Sequence, residues 1–441
     1  MNYVIIGAGP AGVTAAETIR SVDKAGKITI IGGEPEPPYS RMAIPYLLHG
    51  DIAEKGTYLR QQDTHYADLK IDYKMAKVAG IDAPNKKVVT SDIEQIPYDK
   101  LLLATGATPI IPRIEGADLP GVSTCWTLAD ARVIASQVEK GANVVLCGAG
   151  FIGCIVLEAL HQVGCNLTVV ELAPRMVARM MDETAGGMLG RWSTQQGVRV
   201  LTNTKVDKIW PGSGVGASKL SVGLSNGEFV PAQLVVMAVG VRSNTAFLTN
   251  SGVKTNVGVT VNQFLETSVP DIYAAGDCCE GIDLSTGKPD MLAIQPVAVE
   301  HGRIAGLNMA GVTSPHRGSL NMNVLDTMGL ISSSFGLWQG APGGETSKMI
   351  DEKNFKYLKL EFLGNKMVGA QCVGMTDHVG MLRGLIQTGF DLGIWKDRLM
   401  KSPERLREAY IACSQKAPVK GYSGQHTNNP AHAPAHFAAG V

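Results

Sequence analysis

The segment "YVIIGAGPAG", residues 3–12, runs from an apolar stretch into a turn that contains Gly7, Gly9 and Gly12. A buried strand, then glycines in G-x-G-x-x-G spacing, then a helix is typical of a dinucleotide-binding βαβ unit. The first glycine permits the tight turn, the second lets the backbone approach a pyrophosphate, and the third lets the helix pack on the strand. The phosphates then meet free N–H groups at the positive end of the helix. The segment therefore predicts an α/β fold built around a dinucleotide.

The βαβ unit continues through a predicted helix at residues 10–20 and a second strand that ends near Glu34. Glu34 follows the third glycine at about the distance at which a carboxylate accepts hydrogen bonds from both hydroxyls of a ribose. We therefore predict that Glu34 holds the ribose of the bound dinucleotide. The alternative is a glycine turn that serves packing alone.

A second copy of the pattern begins with "NVVLCGAGFIG" at residues 143–153, with its glycines at Gly148, Gly150 and Gly153. The strand that follows ends at Glu171. A carboxylate there accepts from both ribose hydroxyls and repels a 2′-phosphate, which predicts a preference for NAD(H) over NADP(H). The alternative for Glu171 is a solvated charge at a strand end. Two dinucleotide sites on one chain indicate a relay in which one cofactor stays bound and the other exchanges.

Composition excludes several other classes of function. The chain has 441 residues, of which 45% are apolar and 18% charged, so it is long enough for several packed units. Forty basic and 40 acidic residues give a formal charge of zero, which argues against nucleic acid and anionic membranes as partners. The eight cysteines form no C-x-x-C pair and no metal-like spacing, so we expect no disulfide framework, no bound metal and a cytoplasmic location. No apolar run is long enough to span a bilayer, and no GK[ST] phosphate loop is present.

Five motifs in order carry a resemblance to a known family: "GAGPAG", "LLLATGATP", "GAGFIG", "VVMAVGVRSNT" and "TSVPDIYAAGDC". Over residues 1–312 the chain resembles the FAD- and NAD-dependent pyridine nucleotide-disulfide oxidoreductase superfamily. It is most similar to the ferredoxin and rubredoxin reductases, the NADH oxidases and the flavoprotein part of assimilatory nitrite reductase. The resemblance implies an α/β fold with two Rossmann-like, three-layer ββα dinucleotide-binding domains, followed by a C-terminal α+β interface domain.

The implied domain boundaries follow from the order of the motifs. An FAD-binding domain is expected at residues 1–112 and 245–312, with an NAD-binding domain at 113–244 between its two parts. Strand-like runs at 356–374 and an amphipathic helix at 377–389 predict the interface domain, which we place at 313–412. Residues 413–441 are poor in branched apolar side chains and are predicted to be a tail.

The resemblance also implies the residues that bind each cofactor. Asp277 matches the family aspartate that bonds the flavin ribityl chain, and the helix that begins near Gln295 matches the one that points at the flavin pyrimidine. Val78 matches the residue whose backbone meets the adenine. The full predicted FAD set is Gly7, Gly9, Pro10, Ala11, Gly12, Glu34, Arg41, Val78, Ala104, Thr105, Gly106, Gly276, Asp277, Gln295, Pro296 and Val297. The predicted NAD set is Gly148, Gly150, Phe151, Ile152, Gly153, Glu171 and Gly240.

The loop "PPYSRMAIPYLL", residues 37–48, is expected to pass along the flavin ring, with Arg41 near FAD. In disulfide reductases and peroxidases of the family a redox cysteine stands where this chain has Met42, and a thioether cannot become a thiolate nucleophile. A family lysine falls at Tyr46 and its partner glutamate at Ile155. Losing both together avoids a buried unpaired charge and predicts an apolar nicotinamide site with no certain catalytic side chain.

These expectations predict an NAD(H)-dependent FAD oxidoreductase. It would transfer a hydride between NAD(H) and the flavin, and single electrons between the flavin and an iron-sulfur partner on another chain. The partner would be a mobile ferredoxin or rubredoxin, or an iron-sulfur subunit of a larger complex, with the direction of flow left open. The alternatives are a self-contained NADH oxidase and a non-catalytic cofactor-binding module. The interface domain is expected either to form a homo-oligomer or to dock another chain.

Overall fold

The computed structural model of the protein describes residues 1–212 and 219–416. Residues 1–112 form β1 (Asn2–Ile6), α1 (Pro10–Val22), β2 (Lys27–Gly32), α2 (Ile44–Leu48), α3 (His65–Asp68), β3 (Ile71–Met75), β4 (Val78–Asp82), β5 (Lys87–Thr90), β6 (Gln95–Pro97), β7 (Lys100–Leu103) and β8 (Ala107–Pro109). Residues 113–244 form β9 (Val122–Thr124), α4 (Leu128–Ala135), β10 (Asn143–Cys147), α5 (Phe151–Val163), β11 (Asn166–Val170), α6 (Glu183–Gln195), β12 (Arg199–Leu201), β13 (Val206–Pro211), β14 (Leu220–Leu224), β15 (Phe229–Ala232), β16 (Leu234–Met237) and β17 (Val241–Ser243).

The remaining elements complete the first unit and build a third. Residues 245–312 form β18 (Val259–Thr260), β19 (Ile272–Ala274), β20 (Cys279–Ile282), β21 (Pro289–Asp290) and α7 (Gln295–Met309). Beyond them lie β22 (Met322–Thr327), β23 (Leu330–Gly336), β24 (Glu345–Asp351), β25 (Lys356–Leu363), β26 (Lys366–Val373), α8 (Val379–Thr388), α9 (Ile394–Lys401) and α10 (Leu406–Lys416). Short 3-10 turns occupy Arg41–Ala43, Glu54–Thr57, Ala246–Leu248, Gly276–Cys278 and Pro403–Arg405.

The first parallel sheet has the strand order β19-β7-β1-β2-β3. Its central strands are buried along most of their length, as parallel strands covered on both faces are. Helices α1 and α7 pack closely against each other. A Cβ on Gly302 would lie 2.2 Å from the carbonyl oxygen of Ala11, and one on Gly306 would lie 2.9 Å from that of Ala15. Glycine at these two positions therefore lets the flavin-side helix approach the fingerprint helix.

The second parallel sheet, β12-β11-β10-β16-β9, repeats this arrangement. Each parallel sheet is accompanied by a three-stranded antiparallel sheet, β4-β5-β6 in the first unit and β13-β14-β15 in the second. The strands β8 and β17 pair antiparallel where the chain crosses between the two units, with Thr108 opposite Arg242. The predicted pair of Rossmann-like units is confirmed.

The third unit is a five-stranded antiparallel sheet with the order β22-β23-β26-β25-β24. The helices α8, α9 and α10 share a core with side chains of this sheet such as Leu358, Leu360 and Phe335. Other side chains of the sheet, Leu325, Leu330 and Tyr357 among them, join the core of the second unit instead. The α+β character predicted for the C-terminal unit is thereby confirmed, and its sheet is clamped between its own helices and the second unit.

The domain boundaries at residues 112, 244 and 312 remain our proposal. Helix α10 runs to Lys416, so the first four residues of the predicted tail 413–441 are helical, and the rest of that tail lies outside the described residues. Across residues 1–212 and 219–416 we find no helix that combines the length and the apolar character needed to cross a membrane. The same residues contain no group of three His, Cys, Asp or Glu side chains placed to hold a metal ion.

His301, in the middle of α7, and His316, which lies beyond the end of that helix, form a buried pair. His301 is 2% exposed, and its ring centroid is 4.7 Å from that of His316. Neither ring nitrogen of His301 has a hydrogen-bond partner among the described residues, whereas Nε2 of His316 lies 2.9 Å from Oγ of Ser319, which donates to Glu300. Burial, followed by the neighbouring imidazole, lowers the pKa of His301 to about 3.

We expect this pair to make the stability of the fold depend on pH. The folded pKa of His301 lies below the ordinary value of 6.5, so the unfolded chain binds the proton more tightly. The stabilising effect of a neutral His301 is therefore complete above pH 6.5 and is lost as the pH falls towards 3, at roughly 1.4 kcal/mol of unfolding free energy per pH unit. We expect His301→Leu to flatten this slope in urea unfolding between pH 7.5 and 5. An unchanged slope would assign the acid sensitivity to other groups.

Candidate active site

The two glycine fingerprints open into one cavity of about 2220 Å³. Cavities that hold one drug-sized ligand usually measure roughly 300–1,000 Å³, so this one has room for two dinucleotides. Its lining includes Gly7, Gly9, Gly148 and Gly150, together with Asp277. The topology explains the convergence, because in an open parallel sheet ligands bind beyond the carboxyl ends of the strands.

In the first fingerprint the surroundings of the three glycines differ in the way that their predicted roles require. Gly7 has φ +116°, and a Cβ there would lie 2.0 Å from the carbonyl oxygen of Ala104. A Cβ on Gly12 would lie 2.0 Å from the carbonyl oxygen of Gly7, so this glycine serves the packing of α1 on its own strand. A Cβ on Gly9 would meet nothing within 4 Å, and Gly9 lines the cavity. The space beside Gly9 is therefore free for a ligand.

The second fingerprint reproduces this geometry. Gly148 has φ +98°, and a Cβ there would lie 2.5 Å from the carbonyl oxygen of Ala238. A Cβ on Gly153 would lie 2.1 Å from the carbonyl oxygen of Gly148, whereas one on Gly150 would meet nothing within 4 Å. In each fingerprint the first and third glycines pack against protein backbone, and the space beside the second glycine, here called the cradle, is open. Both open spaces belong to the same cavity.

Three helices begin at the cavity without a side-chain cap. The N-cap residues are Gly9 for α1, Gly150 for α5 and Ile294 for α7, and none of their side chains accepts a hydrogen bond from the first turn. The first N–H groups of any α-helix have no intrahelical acceptor, and in these three helices they also lack a side-chain acceptor at the N-cap. The positive end of each helix dipole points at the cavity. Phosphate groups could accept hydrogen bonds from the free N–H groups of α1 and α5, and negative charge on the flavin ring could be stabilised by the N-terminus of α7.

Glu34 is held by side chains of the loop 37–48. Tyr39, which is 7% exposed, donates through its hydroxyl to Oε2 of Glu34 at 2.6 Å. Nη2 of Arg41 donates to Oε1 of Glu34 at 2.5 Å, and Nη1 donates to the carbonyl oxygen of Trp126 at 2.7 Å. The predicted neighbour of FAD, Arg41, thus fixes the orientation of the predicted ribose acceptor. Each carboxylate oxygen retains a lone pair for a ligand hydroxyl.

Glu171 is built into the second fingerprint. The N–H of Ala149 donates to Oε2 of Glu171 at 2.6 Å, and the N–H of Ala173 donates to Oε1 at 2.7 Å. Glu171 also lines the cavity. The alternative of a solvated charge at a strand end is therefore disfavoured, because the carboxylate is fixed beside the glycine turn.

Asp277 is a carboxylate with no side-chain partner among the described residues. It lines the cavity next to the start of α7, where Ser40 ties the loop to the helix by donating to Oε1 of Gln295 at 2.5 Å. Burial raises the pKa of the Asp277 carboxyl, and the positive charge of Arg41 partly offsets this rise. Ligand hydroxyls would supply the missing donors, so Asp277, the glycine cradles and the uncapped helices fit FAD and NAD(H) together.

The wall beside the predicted flavin ring is apolar. Met42 and Ile155 both line the cavity. The lining also contains Cys125 and Cys147, but burial raises the pKa of each thiol to about 12. A thiolate nucleophile is therefore absent from this part of the described chain at neutral pH. Tyr46 is 54% exposed and does not line the cavity, because it lies on the outer side of the short helix α2.

Most of the predicted site residues meet in this cavity. Those that line it are Gly7, Gly9, Pro10, Ala11, Glu34, Arg41, Met42, Val78, Ala104, Thr105, Gly106, Gly148, Gly150, Phe151, Ile152, Ile155, Glu171, Gly240, Gly276, Asp277, Gln295 and Pro296. The exceptions are Gly12, Gly153, Tyr46 and Val297. The two glycines face their own strands, and Val297 is 4% exposed in the packed side of α7, so only its neighbours reach the cavity. The roles of the lining residues stay predictions.

Several lining residues were not predicted from the sequence. Asn244 donates to the carbonyl oxygen of Thr105 at 2.9 Å and accepts from the hydroxyl of Thr108 at 2.6 Å, which fixes the crossing between the two units. The motif "VRSNT" contained this signal. Asn323 and Val324 of β22 also line the cavity, although the third unit contributes no motif that could have revealed them.

Comparison with known proteins places these features in a family. The family model described as pyridine nucleotide-disulphide oxidoreductase matches residues 1–302. A nitrite reductase [NAD(P)H] of Bacillus subtilis is 32% identical over 394 residues, which cover 89% of this chain and 48% of that protein. The chain thus spans about half the length of that relative.

Two other relatives match over more of their own length. An NADH oxidase of Methanocaldococcus jannaschii is 35% identical over 333 residues, covering 74% of this chain and 73% of that protein. The epsilon subunit of an NADH-dependent phenylglyoxylate dehydrogenase of Aromatoleum evansii is 30% identical over 406 residues, covering 91% of this chain and 95% of that protein. The similarity therefore extends through the third unit as well as the two nucleotide-binding ones.

Proposed function

Because the chain belongs to the pyridine nucleotide-disulphide oxidoreductase family, we propose that it passes a hydride between NAD(H) and FAD and exchanges single electrons between the flavin and an iron-sulfur partner. The observation that carries this proposal is the single cavity into which both cradles open, beside thiols that burial keeps protonated. A relay through a reactive cysteine is disfavoured by this chemistry. Electrons would then leave the flavin for another protein.

The chain is an NAD(H)-dependent flavoprotein oxidoreductase, and bound FAD supplies the conversion between a hydride and single electrons. The residues present would hold and orient the two cofactors. The first turns of α1 and α5 would bind the two pyrophosphates, and Asp277 would accept from the ribityl chain. The first turn of α7 would stabilise negative charge on the flavin pyrimidine. Met42 and Ile155 would exclude water from the contact between the two rings.

The partner is proposed to be an iron-sulfur chain, either a mobile carrier or a subunit of a larger complex. No cluster of metal-binding side chains occurs within residues 1–212 and 219–416, so the one-electron centre is expected on another chain. The match along 95% of a dehydrogenase subunit supports the complex, with this chain as its NAD-reactive flavin subunit. A cytoplasmic location and docking or homo-oligomer formation through the third unit are part of the same proposal.

The decisive experiment is gentle isolation of the native protein from its source, followed by anaerobic titration with NADH. We expect the flavin absorbance to bleach and iron-sulfur chains to copurify, or a ferredoxin or rubredoxin to be reduced in a reconstituted assay. Flavin that NADH does not bleach would support the non-catalytic alternative and overturn the proposal. If NADH bleached the flavin but no iron-sulfur protein copurified or was reduced, the proposed exchange of electrons with an iron-sulfur partner would be overturned.

A self-contained NADH oxidase is the second candidate, favoured by the 35% identity to a protein of that name. Oxygen consumption separates the two functions. An oxidase consumes oxygen with NADH as fast as it reduces its flavin, without added protein. A reductase consumes oxygen much more slowly than it reduces its partner.

The preference for NAD(H) should depend on the charge of Glu171. Glu171→Gln keeps one acceptor oxygen beside Ala149 but removes the charge that would repel a 2′-phosphate. We expect the ratio of kcat/KM for NADH to that for NADPH to fall by about 10-fold, which corresponds to 1.4 kcal/mol. The matched control is Asp207→Asn, another carboxylate that lines the cavity, which should leave the ratio unchanged. Equal ratios in the two variants would remove Glu171 from coenzyme selection.

A further inference from the structure

The turn at residues 173–182, here called the nucleotide turn, follows Glu171 and forms part of the NAD-side wall of the cavity. Its lining members are Ala173, Val177, Ala178, Arg179 and Met180. The N–H of Val177 donates to the carbonyl oxygen of Ala149 at 2.8 Å, and Ala149 lies inside the second fingerprint. The nucleotide turn and the glycine turn are therefore bonded directly to each other. A displacement of the nucleotide turn would therefore be transmitted to the glycine turn through this hydrogen bond.

The middle of the nucleotide turn is strained. Val177 has φ +46°, in the left-handed region that a β-branched residue rarely adopts, and it is 1% exposed. Such a conformation costs roughly 1–3 kcal/mol and persists only where surrounding contacts enforce it. On one side that enforcement comes from the guanidinium of Arg175, which donates to the carbonyl oxygens of Met181 and Ala178 at 3.1 and 3.3 Å.

The other contacts that hold the turn come from the third unit. The hydroxyl of Tyr357 on β25 donates to Oδ2 of Asp182 at 2.7 Å, and the N–H of Asp182 donates to Oε1 of Gln371 on β26 at 2.9 Å. Nζ of Lys359 lies 3.7 Å from the same carboxylate oxygen and 2.7 Å from Oε1 of Glu361. Tyr357 and Gln371 are fully buried.

We propose that Tyr357 and Gln371 are positioning residues for the nicotinamide cofactor, which act by fixing Asp182 and hence the strained nucleotide turn. Asp182 also caps α6 by accepting from the N–H of Ala185 at 3.1 Å, so the turn, the helix and the C-terminal sheet meet at one carboxylate. The inference rests on the proposed NAD(H) site and adds to it a dependence on the third unit. None of the hydrogen bonds named here for Asp182 involves a residue of the first fingerprint, where FAD is proposed to bind.

The test is Tyr357→Phe in the full-length, FAD-loaded protein. The change deletes one hydrogen bond to a charged group, and the ring still fills its place. We expect the Kd for NAD⁺, measured by titration of the flavin spectrum, to rise about 5- to 10-fold. The limiting rate of anaerobic flavin reduction by NADH and the FAD content should stay within about twofold of the parent, because the chemical contact itself is unchanged. Amides of the nucleotide turn should exchange hydrogen faster.

The matched control is Tyr410→Phe in α10, where no hydrogen bond to the hydroxyl occurs in the described residues. Gln371→Met provides a second, independent variant and should raise the Kd in the same direction. Kd values and exchange rates equal to those of the Tyr410→Phe control would overturn the inference. If the parent itself fails to bind NAD⁺, the proposed function fails first. If the parent binds and Tyr357→Phe binds equally well, only the positioning role is lost.

Discussion

Asp277→Leu is expected to raise the stability of the flavin-free protein and, at the same time, to weaken the binding of FAD. In the empty cavity the carboxylate has no side-chain donor, and burial opposes its charge. An apolar replacement removes this desolvation cost, so the melting temperature of the flavin-free protein should rise. With FAD bound, the same replacement would lose the bonds proposed from the ribityl hydroxyls to Asp277. Two bonds to a charged acceptor at about 1.5 kcal/mol each would weaken FAD binding roughly 100-fold.

These opposite effects can be measured on one preparation. FAD is removed, thermal melting of the apoprotein is recorded, and the cofactor is titrated back by flavin fluorescence. Asp277→Asn is the matched control, because it keeps an acceptor oxygen and should lose much less affinity. A melting temperature that falls in both the apo and the FAD-loaded leucine variant would indicate a purely structural role for Asp277.

Gly150→Val should abolish the reaction with NAD(H) while leaving the protein folded and flavin-bound. Beyond its own helix and chain neighbours, a Cβ at this position meets no atom within 4 Å, so the new side chain extends into the space proposed for the pyrophosphate of NAD(H). It also covers the uncapped first turn of α5, the chief anion-binding feature of this cradle. We expect kcat/KM for NADH to fall at least about 100-fold, a loss of roughly 2.7 kcal/mol in transition-state stabilisation.

Two further valine variants decide whether this loss is specific. Gly190→Val in α6 also adds a side chain in open space, but away from the cavity, and should retain full activity. Gly9→Val is the equivalent change in the first cradle and should lose FAD instead of NAD(H). If Gly150→Val reacted with NADH like Gly190→Val, the second fingerprint would not be the nicotinamide site.

The parts of the site that follow from the sequence are those that the backbone imposes. A G-x-G-x-x-G turn between a strand and a helix has few conformations, so the spacing alone identified the tight turn at Gly7, the packing contact at Gly12 and the open side at Gly9. The turn between β25 and β26 also follows from the local sequence, because Leu363, Gly364 and Asn365 connect two strand-like runs and such a connection favours a hairpin. Glu171 was predicted from its place at the end of a strand, and the structure places it on the cavity wall beside the second glycine turn.

Side-chain partnerships could not be derived in this way. The ion pair between Arg41 and Glu34 depends on how the loop 37–48 folds back, and no periodicity specifies that path. Tyr46 was aligned by motif position, but residues 44–48 form the short helix α2, which turns its side chain outward. The contribution of Asn323 and Val324 depends on how the third unit docks, which is a tertiary contact without a local signal.

The three uncapped helix ends around the cavity have a consequence for control of the enzyme. Their positive charge belongs to peptide groups, which neither titrate in the physiological range nor accept covalent modification. A cofactor site made of lysine side chains could be weakened by acetylation, whereas the N–H groups at these helix ends persist for as long as the protein is folded. The part of cofactor binding that these helix ends supply would therefore stay constant, and any regulation would act on other elements, such as the third unit's contacts with the nucleotide turn or access of the electron partner.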